Sequence, residues 1–190
     1  MKKLIGLALV LAATTASAGD WYGSTTYDRK DKQASDQVNH VFGVNIGQKL
    51  GNGLSAEVRM ENERVEPGAG ATQKQEGLMQ GKVSYDIATG TIVTPYVAAA
   101  VGQKQKSTLD FTYWVGEVGA KAAFGPVGLR YGWRQRTAFD NNSTNSYDTK
   151  EHTIAATYAV TKADTVGVRY ARERGTSDYN TTGVFYTRSF

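Results

Sequence analysis

Along most of the chain, apolar and polar side chains alternate at every second position. The alternation is clearest in residues 37–50 and 54–64, which Gly51-Asn52-Gly53 separates. A period of two is that of a β-strand, because successive side chains point to opposite faces of a sheet. A glycine-rich pair or triplet between two such segments is typical of a tight hairpin turn. The sequence therefore predicts an antiparallel hairpin at this place.

The same alternation recurs along the chain and predicts ten strands. Eight is the alternative, if the first strand and the strand that contains Pro95 do not form, since a proline removes one hydrogen-bond donor from a ladder. Polar loops near residues 30, 70, 106, 143 and 176 alternate with tight turns near 52, 89, 126 and 163. The predicted strands are 21–29, 37–50, 54–64, 79–87, 91–102, 111–124, 127–136, 152–160, 166–171 and 181–190.

No stretch after Ala18 is apolar for long enough to cross a membrane as a helix, which needs about 20 residues. The longest apolar run is Tyr96 to Val101. A closed barrel is the other structure that can span a bilayer, because all of its backbone groups pair between strands. Short turns at one end and longer loops at the other are typical of outer-membrane barrels. We therefore predict an all-β fold, a transmembrane up-and-down antiparallel β-barrel.

The first residues have the three parts of a secretory signal peptide. Lys2 and Lys3 precede the apolar run Leu4 to Ala13, and the small residues Ala16-Ser17-Ala18 follow it. This order of charge, apolar centre and cleavage site is specific to export signals. We expect a cleaved signal peptide at residues 1–18 and a barrel domain at residues 19–190, exported through the periplasm to the outer membrane.

Composition and charge exclude several other classes of protein. The 190 residues include no Cys and two His, so neither a disulfide nor a transition-metal site is expected. The formal net charge is +4, and removal of the signal peptide with Lys2 and Lys3 leaves it nearly balanced. Since no basic block marks a nucleic-acid surface, we expect no nucleic-acid partner.

In these features the chain resembles the Gram-negative outer-membrane β-barrels. In that class a final strand ending in Phe is read by the barrel-assembly machinery, and Phe190, Tyr186 and Val184 match its alternate apolar positions, whereas Arg188 stands where an aromatic residue is usual. The resemblance implies an assembly signal in these three residues. It also implies the assembly machinery and outer-membrane lipid or lipopolysaccharide as partners.

A second resemblance covers roughly the first quarter of the mature chain. The stretch from Tyr27-Asp28-Arg29 to Val65, with Val44-Asn45-Ile46-Gly47 and Gly53-Leu54-Ser55-Ala56-Glu57-Val58-Arg59, is similar to the opening of the oligogalacturonate-specific porins. That family's barrels have more strands than are predicted here. The likeness implies a channel that passes small acidic sugars.

Charged side chains recur at every second position between the apolar ones. A charge within the hydrocarbon layer costs about 2–4 kcal/mol, so the charged face has to point inward if the apolar face meets lipid. Seven basic and five acidic residues are therefore expected inside the barrel: Glu57, Arg59, Glu61, Lys82, Asp86, Glu117, Lys121, Arg130, Arg134, Arg136, Arg169 and Glu173.

Such an interior has two possible uses. In the first, the charges line a narrow porin-like channel in which Arg130, Arg134 and Arg136, with Arg169, favour small anionic solutes such as acidic sugars. In the alternative, the charges pair with one another and fill the lumen. The protein would then be a non-conducting structural or adhesion barrel whose extracellular loops bind partners. The channel is the function that we expect.

An outer-membrane hydrolase is the third class considered. It would need a histidine near a carboxylate or a serine at the outer rim. The chain has only His40 and His152, and the alternation puts both on the lipid face, although Asp148 and Glu151 lie near His152 in sequence. We therefore expect no enzymatic activity and no cofactor.

Overall fold

The computed structural model describes residues 20–33, 35–67, 72–106, 110–139 and 147–190. These residues form one antiparallel sheet of ten strands. The strands are β1 (Trp21–Lys32), β2 (Val38–Gly51), β3 (Leu54–Glu66), β4 (Lys74–Asp86), β5 (Val93–Gln105), β6 (Asp110–Phe124), β7 (Val127–Ala138), β8 (Thr149–Ala159), β9 (Asp164–Gly175) and β10 (Tyr179–Ser189).

Every strand pairs with its neighbours in sequence, and β1 pairs with β10 to close the sheet into a barrel. The backbone N–H of Phe190 donates to the carbonyl oxygen of Trp21 at 2.8 Å, at the end of this closing ladder. We call the end with connections 52–53, 87–92, 125–126 and 160–163 the turn end. The opposite end, with connections 33–37, 67–73, 106–109, 139–148 and 176–178, is the loop end.

The prediction of a closed ten-stranded barrel is confirmed, and the eight-stranded alternative is wrong. Pro95 lies near the start of β5, where its missing N–H interrupts the ladder least, and its carbonyl oxygen accepts from the N–H of Ile87 at 2.8 Å. The described part of the chain contains no helix that is long and apolar enough to cross a membrane. The predicted signal peptide, residues 1–18, falls outside the described residues.

Several strands are longer than the alternation predicts, mostly at the loop end. The stretch 28–36 was expected to be a loop, yet β1 continues to Lys32, and β5 continues through Gln105. In the same way β4 begins at Lys74 and β9 ends at Gly175. Backbone pairing continues beyond the apolar layer, where both faces of a strand meet water and the apolar signal disappears.

The outer wall of the barrel is apolar. Phe42, Ile154 and Val168 are more than half exposed, at 55%, 59% and 56%, and they share this face with outward tyrosines such as Tyr131. In water such a wall would be an aggregation surface, whereas in a bilayer it contacts lipid. Alternation then places the intervening side chains inside the barrel.

One interior ion pair lies across the seam that closes the barrel. Asp28 of β1, Gly183 of β10 and Arg169 of β9 occupy one register row. Arg169 reaches over Gly183 and donates to both carboxylate oxygens of Asp28, whose side chain is fully buried. A Cβ at Gly183 would collide with this carboxylate, so glycine is required for the pair to form.

We expect an arginine on the outer wall to destabilise the barrel according to its depth. Val184→Arg, in the middle of β10, should lower the free energy of unfolding in lipid vesicles by about 2–4 kcal/mol. The matched control, Val160→Arg at the turn end, should cost about 0–1 kcal/mol because it lies near the interface. Denaturant titration of both variants measures the difference, and equal losses would contradict a lipid-facing Val184.

The seam ion pair provides a second stability test. Asp28→Asn leaves the Arg169 guanidinium buried without its counter-charge, and breaking a buried pair in this way costs about 3–5 kcal/mol. Asp31→Asn, in the same strand, breaks the exposed pair with Arg29 and should cost about 0–1 kcal/mol. The double variant Asp28→Leu/Arg169→Met should recover most of the loss. If Asp28→Asn cost no more than Asp31→Asn, the seam pair would not stabilise closure.

Candidate functional site

The interior of the barrel is the candidate site, and the structure places all of the expected charged residues on it. They lie on the strand face opposite the apolar wall and line the two interior cavities, apart from Asp86, which lies at the turn end beside Lys121. These residues are Glu57, Arg59, Glu61, Lys82, Asp86, Glu117, Lys121, Arg130, Arg134, Arg136, Arg169 and Glu173.

Charges near the turn end form separate pairs around the wall. Lys82 Nζ lies 3.3 Å from Glu57, and Arg130 lies 2.5 Å from Glu117. The hydroxyl of Tyr96 also donates to Glu117, at 2.7 Å, and accepts from Arg130 Nε at 2.9 Å. Each carboxylate is therefore held against the wall by a cation, and Glu117 by a phenol as well, which leaves the axis of this half free of long side chains.

Charges on two facing walls line the middle of the lumen. Arg134 of β7 donates to Glu151 of β8 at 2.8 Å, and its other neighbour is Glu173 of β9 at 4.0 Å. Arg59 and Glu61 form a pair along β3 on the facing wall. With Arg169, these side chains make a ring of alternating charge, which we call the central ring.

The loop end is the most densely filled part of the interior. Glu63 lies 2.8 Å from Lys104 and 3.9 Å from Lys30, and accepts from Asn39 Nδ2 at 2.6 Å. Lys104 also contacts Glu76 at 3.0 Å. Carboxylates and amines alternate in this group, so each cation lies between negative charges.

Two aromatic rings narrow the same end. Phe111 and Tyr113 are 2% and 1% exposed and pack with the buried Ala100, Val115 and Ala138. The Arg136 guanidinium lies 5.5 Å from the centroid of the Tyr113 ring, a cation–π distance. Above them Lys106 lies over the Phe111 ring, and burial together with the nearby Lys104 charge lowers the pKa of Lys106.

Six interior charges were not predicted: Glu63 lies near the end of the predicted strand 54–64, and most of the others lie where predicted loops are strand. Continuing the period of two through these strand ends would have found them. Two of them are basic and four acidic, which changes the expected seven basic and five acidic residues to nine of each sign. The missed residues are Asp28, Lys30, Glu63, Glu76, Lys104 and Glu151.

Two neighbouring cavities occupy the lumen. The cavity on the turn side has a volume of about 330 Å³ and is lined by Tyr22, Glu57 and Lys82 among others. The cavity on the loop side, lined by Lys30, Lys104 and other residues, measures only about 50 Å³. Both cavities are lined by Arg59, Arg134, Glu151 and Arg169, so both border the central ring. The lumen therefore tapers from the turn end to the loop end.

Both histidines lie on the outer wall, as the alternation predicts, and Nε2 of His40 is 3.8 Å from the Glu66 carboxylate. His152 lies exposed on the outer wall, where its Nδ1 is 2.7 Å from the Tyr131 hydroxyl, and His40 makes the same contact with Tyr27. Glu151, next to His152 in sequence, points into the lumen instead. Among the described residues no group of three or more acidic, His or Cys side chains is arranged to hold a metal ion.

The residues of the expected assembly signal lie on the outer wall of β10 and beyond it. Val184 and Phe190 are exposed at 55% and 79%. The hydroxyl of Tyr186 donates to Asp164 at 2.6 Å, and Arg188 lies 3.4 Å from the same carboxylate. Because Asp164 pairs the charge of Arg188 at the turn end, an arginine is tolerated at this position, where an aromatic residue is usual. Recognition by the assembly machinery stays a prediction.

No family model and no curated protein matches the sequence. Several solved structures are similar to the barrel. An outer-membrane channel of Pseudomonas putida F1 superposes with a TM-score of 0.58 at 10% identity, over 93% of this chain and 97% of that one. The β domain of the Bordetella autotransporter BrkA gives 0.54 at 12% identity, over 92% and 100%.

The KdgM porin in complex with disordered oligogalacturonate is also similar, with a TM-score of 0.50 at 13% identity, over 88% of this chain and 99% of that one. These identities are low, so the likeness concerns the fold. It agrees with the apolar outer wall, the closed ladder and the charged interior described above. The chain has the fold of outer-membrane β-barrels, here a closed antiparallel barrel of ten strands.

Proposed function

We propose that the barrel is a narrow channel through the outer membrane for water, small ions and solutes of similar size. The observation that supports this proposal is that two polar cavities border the same central ring from its two sides, so that together they extend along the barrel interior. A cavity needs about 10–15 Å³ to hold one water molecule. The loop-side cavity of about 50 Å³ therefore has room for a few water molecules.

Buried polar atoms along this path support a water-filled lumen. Arg59 Nε and Arg136 Nε make no hydrogen bond with the described protein atoms, and neither does Thr26 Oγ1. An unsatisfied buried donor costs about 1–3 kcal/mol, so water is the natural partner for these groups. Water held on guanidinium groups along the axis would also solvate a passing ion.

The charge balance argues for weak ion selectivity. The interior arginines were expected to favour anions. Arg130, Arg134 and Arg169, however, each form a close pair with a carboxylate. The paired interior charges of the described residues number nine of each sign, so we expect only a small net field along the axis. A sugar such as the one bound by the KdgM porin would need the loop-end pairs to separate before it could pass.

The filled lumen of the loop end favours one second candidate. Phe111 and Tyr113 are almost fully buried there, and Glu63, Lys104 and Glu76 form a continuous group of paired charges. If this group excludes ions, the protein is a non-conducting barrel whose loops bind partners.

Single-channel recording in planar bilayers separates the two functions. We expect the wild-type barrel to give small, discrete conductance steps. Tyr113→Ala removes a ring that narrows the loop end and should raise the conductance severalfold. Thr112→Ala, the neighbouring exposed position on the opposite face, should leave it unchanged.

Two results of this recording would contradict the channel. A silent wild type with a conducting Tyr113→Ala variant would identify the non-conducting barrel. Silence of both proteins, after insertion is verified by protection from protease, would exclude a path along the axis.

Charge balance predicts opposite effects for two neutralising substitutions in the turn-side cavity. Glu117→Gln removes the counter-charge of Arg130 and should favour Cl⁻, whereas Lys82→Gln removes that of Glu57 and should favour K⁺. Reversal potentials in a KCl gradient should be near zero for the wild type and should shift with opposite signs in the variants. Lys162→Gln at the exposed turn end is the control. A wild type with strong anion preference would contradict the balanced lumen.

A further inference from the structure

The outer face of the β8–β9 hairpin changes from basic to apolar along its length. At the loop end Lys150 is opposite Arg174, and His152 is opposite Arg172 in the next outward row. The following rows are apolar and pair Ile154 with Tyr170, Ala156 with Val168, and Tyr158 with Val166. At about 3.4 Å per residue, the basic rows and the apolar rows together extend along most of the strand.

Two cations of this face differ from the other outward cations at the loop end. The exposed arginines Arg29, Arg64 and Arg174 are each paired with a carboxylate, from Asp31, Glu66 and Asp178 respectively. Lys150 and Arg172 are exposed as well, yet neither has a hydrogen bond or an ion pair within the part of the chain that the structure describes. Their charge is therefore available to a ligand outside the barrel.

An apolar groove of about 660 Å³ lies on the outer wall, separated from these cations by the row of Ile154 and Tyr170. Its floor is made of small side chains, Ala156, Val168 and Val184, and larger side chains such as Tyr158 and Tyr186 border it. The strands β8, β9 and β10 line this groove together with Tyr27 of β1 and Phe42 of β2. Because its surface is apolar and faces the bilayer, the chemistry that fits it is a hydrocarbon chain.

We propose that this face binds a membrane lipid with a phosphorylated headgroup. The phosphate lies against Lys150 and Arg172, and an acyl chain of the same lipid lies in the groove between Tyr158 and Tyr186. Arginine donates in pairs to phosphate oxygens, and lysine binds phosphate as a point charge. Along β8 and β9 the cations come first, the row of Ile154 and Tyr170 next and the groove last, which is the order of headgroup and acyl chain in a lipid.

The position of the cations favours a lipid over a soluble anion. A free phosphate would use the cations alone and would leave the groove unexplained. An acidic segment of a soluble protein would reach the cations from the water side but could not enter an apolar surface that faces hydrocarbon. Lipid binding on the outer wall is independent of whether the lumen conducts.

Binding of bisphosphorylated lipid A to the full barrel in detergent, measured by native mass spectrometry, tests the proposal. The variant Lys150→Gln/Arg172→Gln should lower the apparent affinity by about tenfold or more, because two charge-assisted hydrogen-bonding groups are lost. The control Lys49→Gln/Lys162→Gln removes the same charge at the turn end and should bind as the wild type does. Arg172→Lys should retain part of the affinity, since it keeps the charge.

A second test compares ligands on the wild-type barrel and therefore does not depend on the folding of a variant. Dephosphorylated lipid A should bind about tenfold more weakly than lipid A, and inorganic phosphate should not displace lipid A. Equal binding of the two lipids, or an equal loss of affinity in the control variant, would overturn the proposal. Displacement of lipid A by inorganic phosphate would identify a site for free anions instead and would overturn it too.

Discussion

The structure depends on one constraint, the pairing of every backbone N–H and C=O group that lies within hydrocarbon. An unpaired group there costs several kcal/mol, and a sheet can avoid this cost only by closing on itself. The ladder between β1 and β10 achieves closure, and the remaining features follow from it. Once the sheet is closed, each strand has one face toward lipid and one toward the lumen. The alternation of side chains then decides which residues each face carries.

Confinement of the charges to the lumen explains why they are so fully paired. Charges excluded from lipid have to share a narrow space, in which a lone ion would be poorly solvated. The nine cations and nine anions occupy complementary positions on neighbouring or facing strands, as in the group of Lys30, Glu63, Lys104 and Glu76. Pairing holds these side chains against the wall near the turn end and fills the axis near the loop end. The proposed channel is therefore narrow because its charges are balanced within a small circumference.

Much of the fold could be predicted from the sequence, because a period of two is a strong signal wherever lipid and water lie on opposite faces of a strand. The faces of β7, with Arg130 inside and Tyr131 outside, were predicted for this reason. The strand ends could not be predicted in the same way. Beyond the apolar layer both faces meet water, so Asp28 and Lys104 looked like loop residues although the backbone ladder includes them.

The side chains that point into the lumen were predicted only in part. The contacts between them were not predicted, and these contacts changed the expected ion selectivity. Alternation identified which charges point inward but carried no information on which of them meet across the lumen. The contact of Arg169 with Asp28 joins residues far apart in sequence and passes over Gly183. The narrowing by Phe111 and Tyr113 could not be predicted either, because alternation places Tyr113 on the interior face but does not show how far its ring extends into the lumen.

Site-directed spin labelling tests the central claim most directly, since the chain has no cysteine that would interfere. Single cysteines at Gly128, Leu129, Arg130, Tyr131 and Gly132 would carry the label along β7 in a lipid bilayer. The account predicts that collision with lipid-soluble oxygen is high at Leu129 and Tyr131. At Arg130, collision with a water-soluble nickel complex should instead be more frequent than collision with oxygen. A uniform accessibility along the strand, or the inverse alternation, would contradict a closed barrel with an apolar wall and a charged lumen.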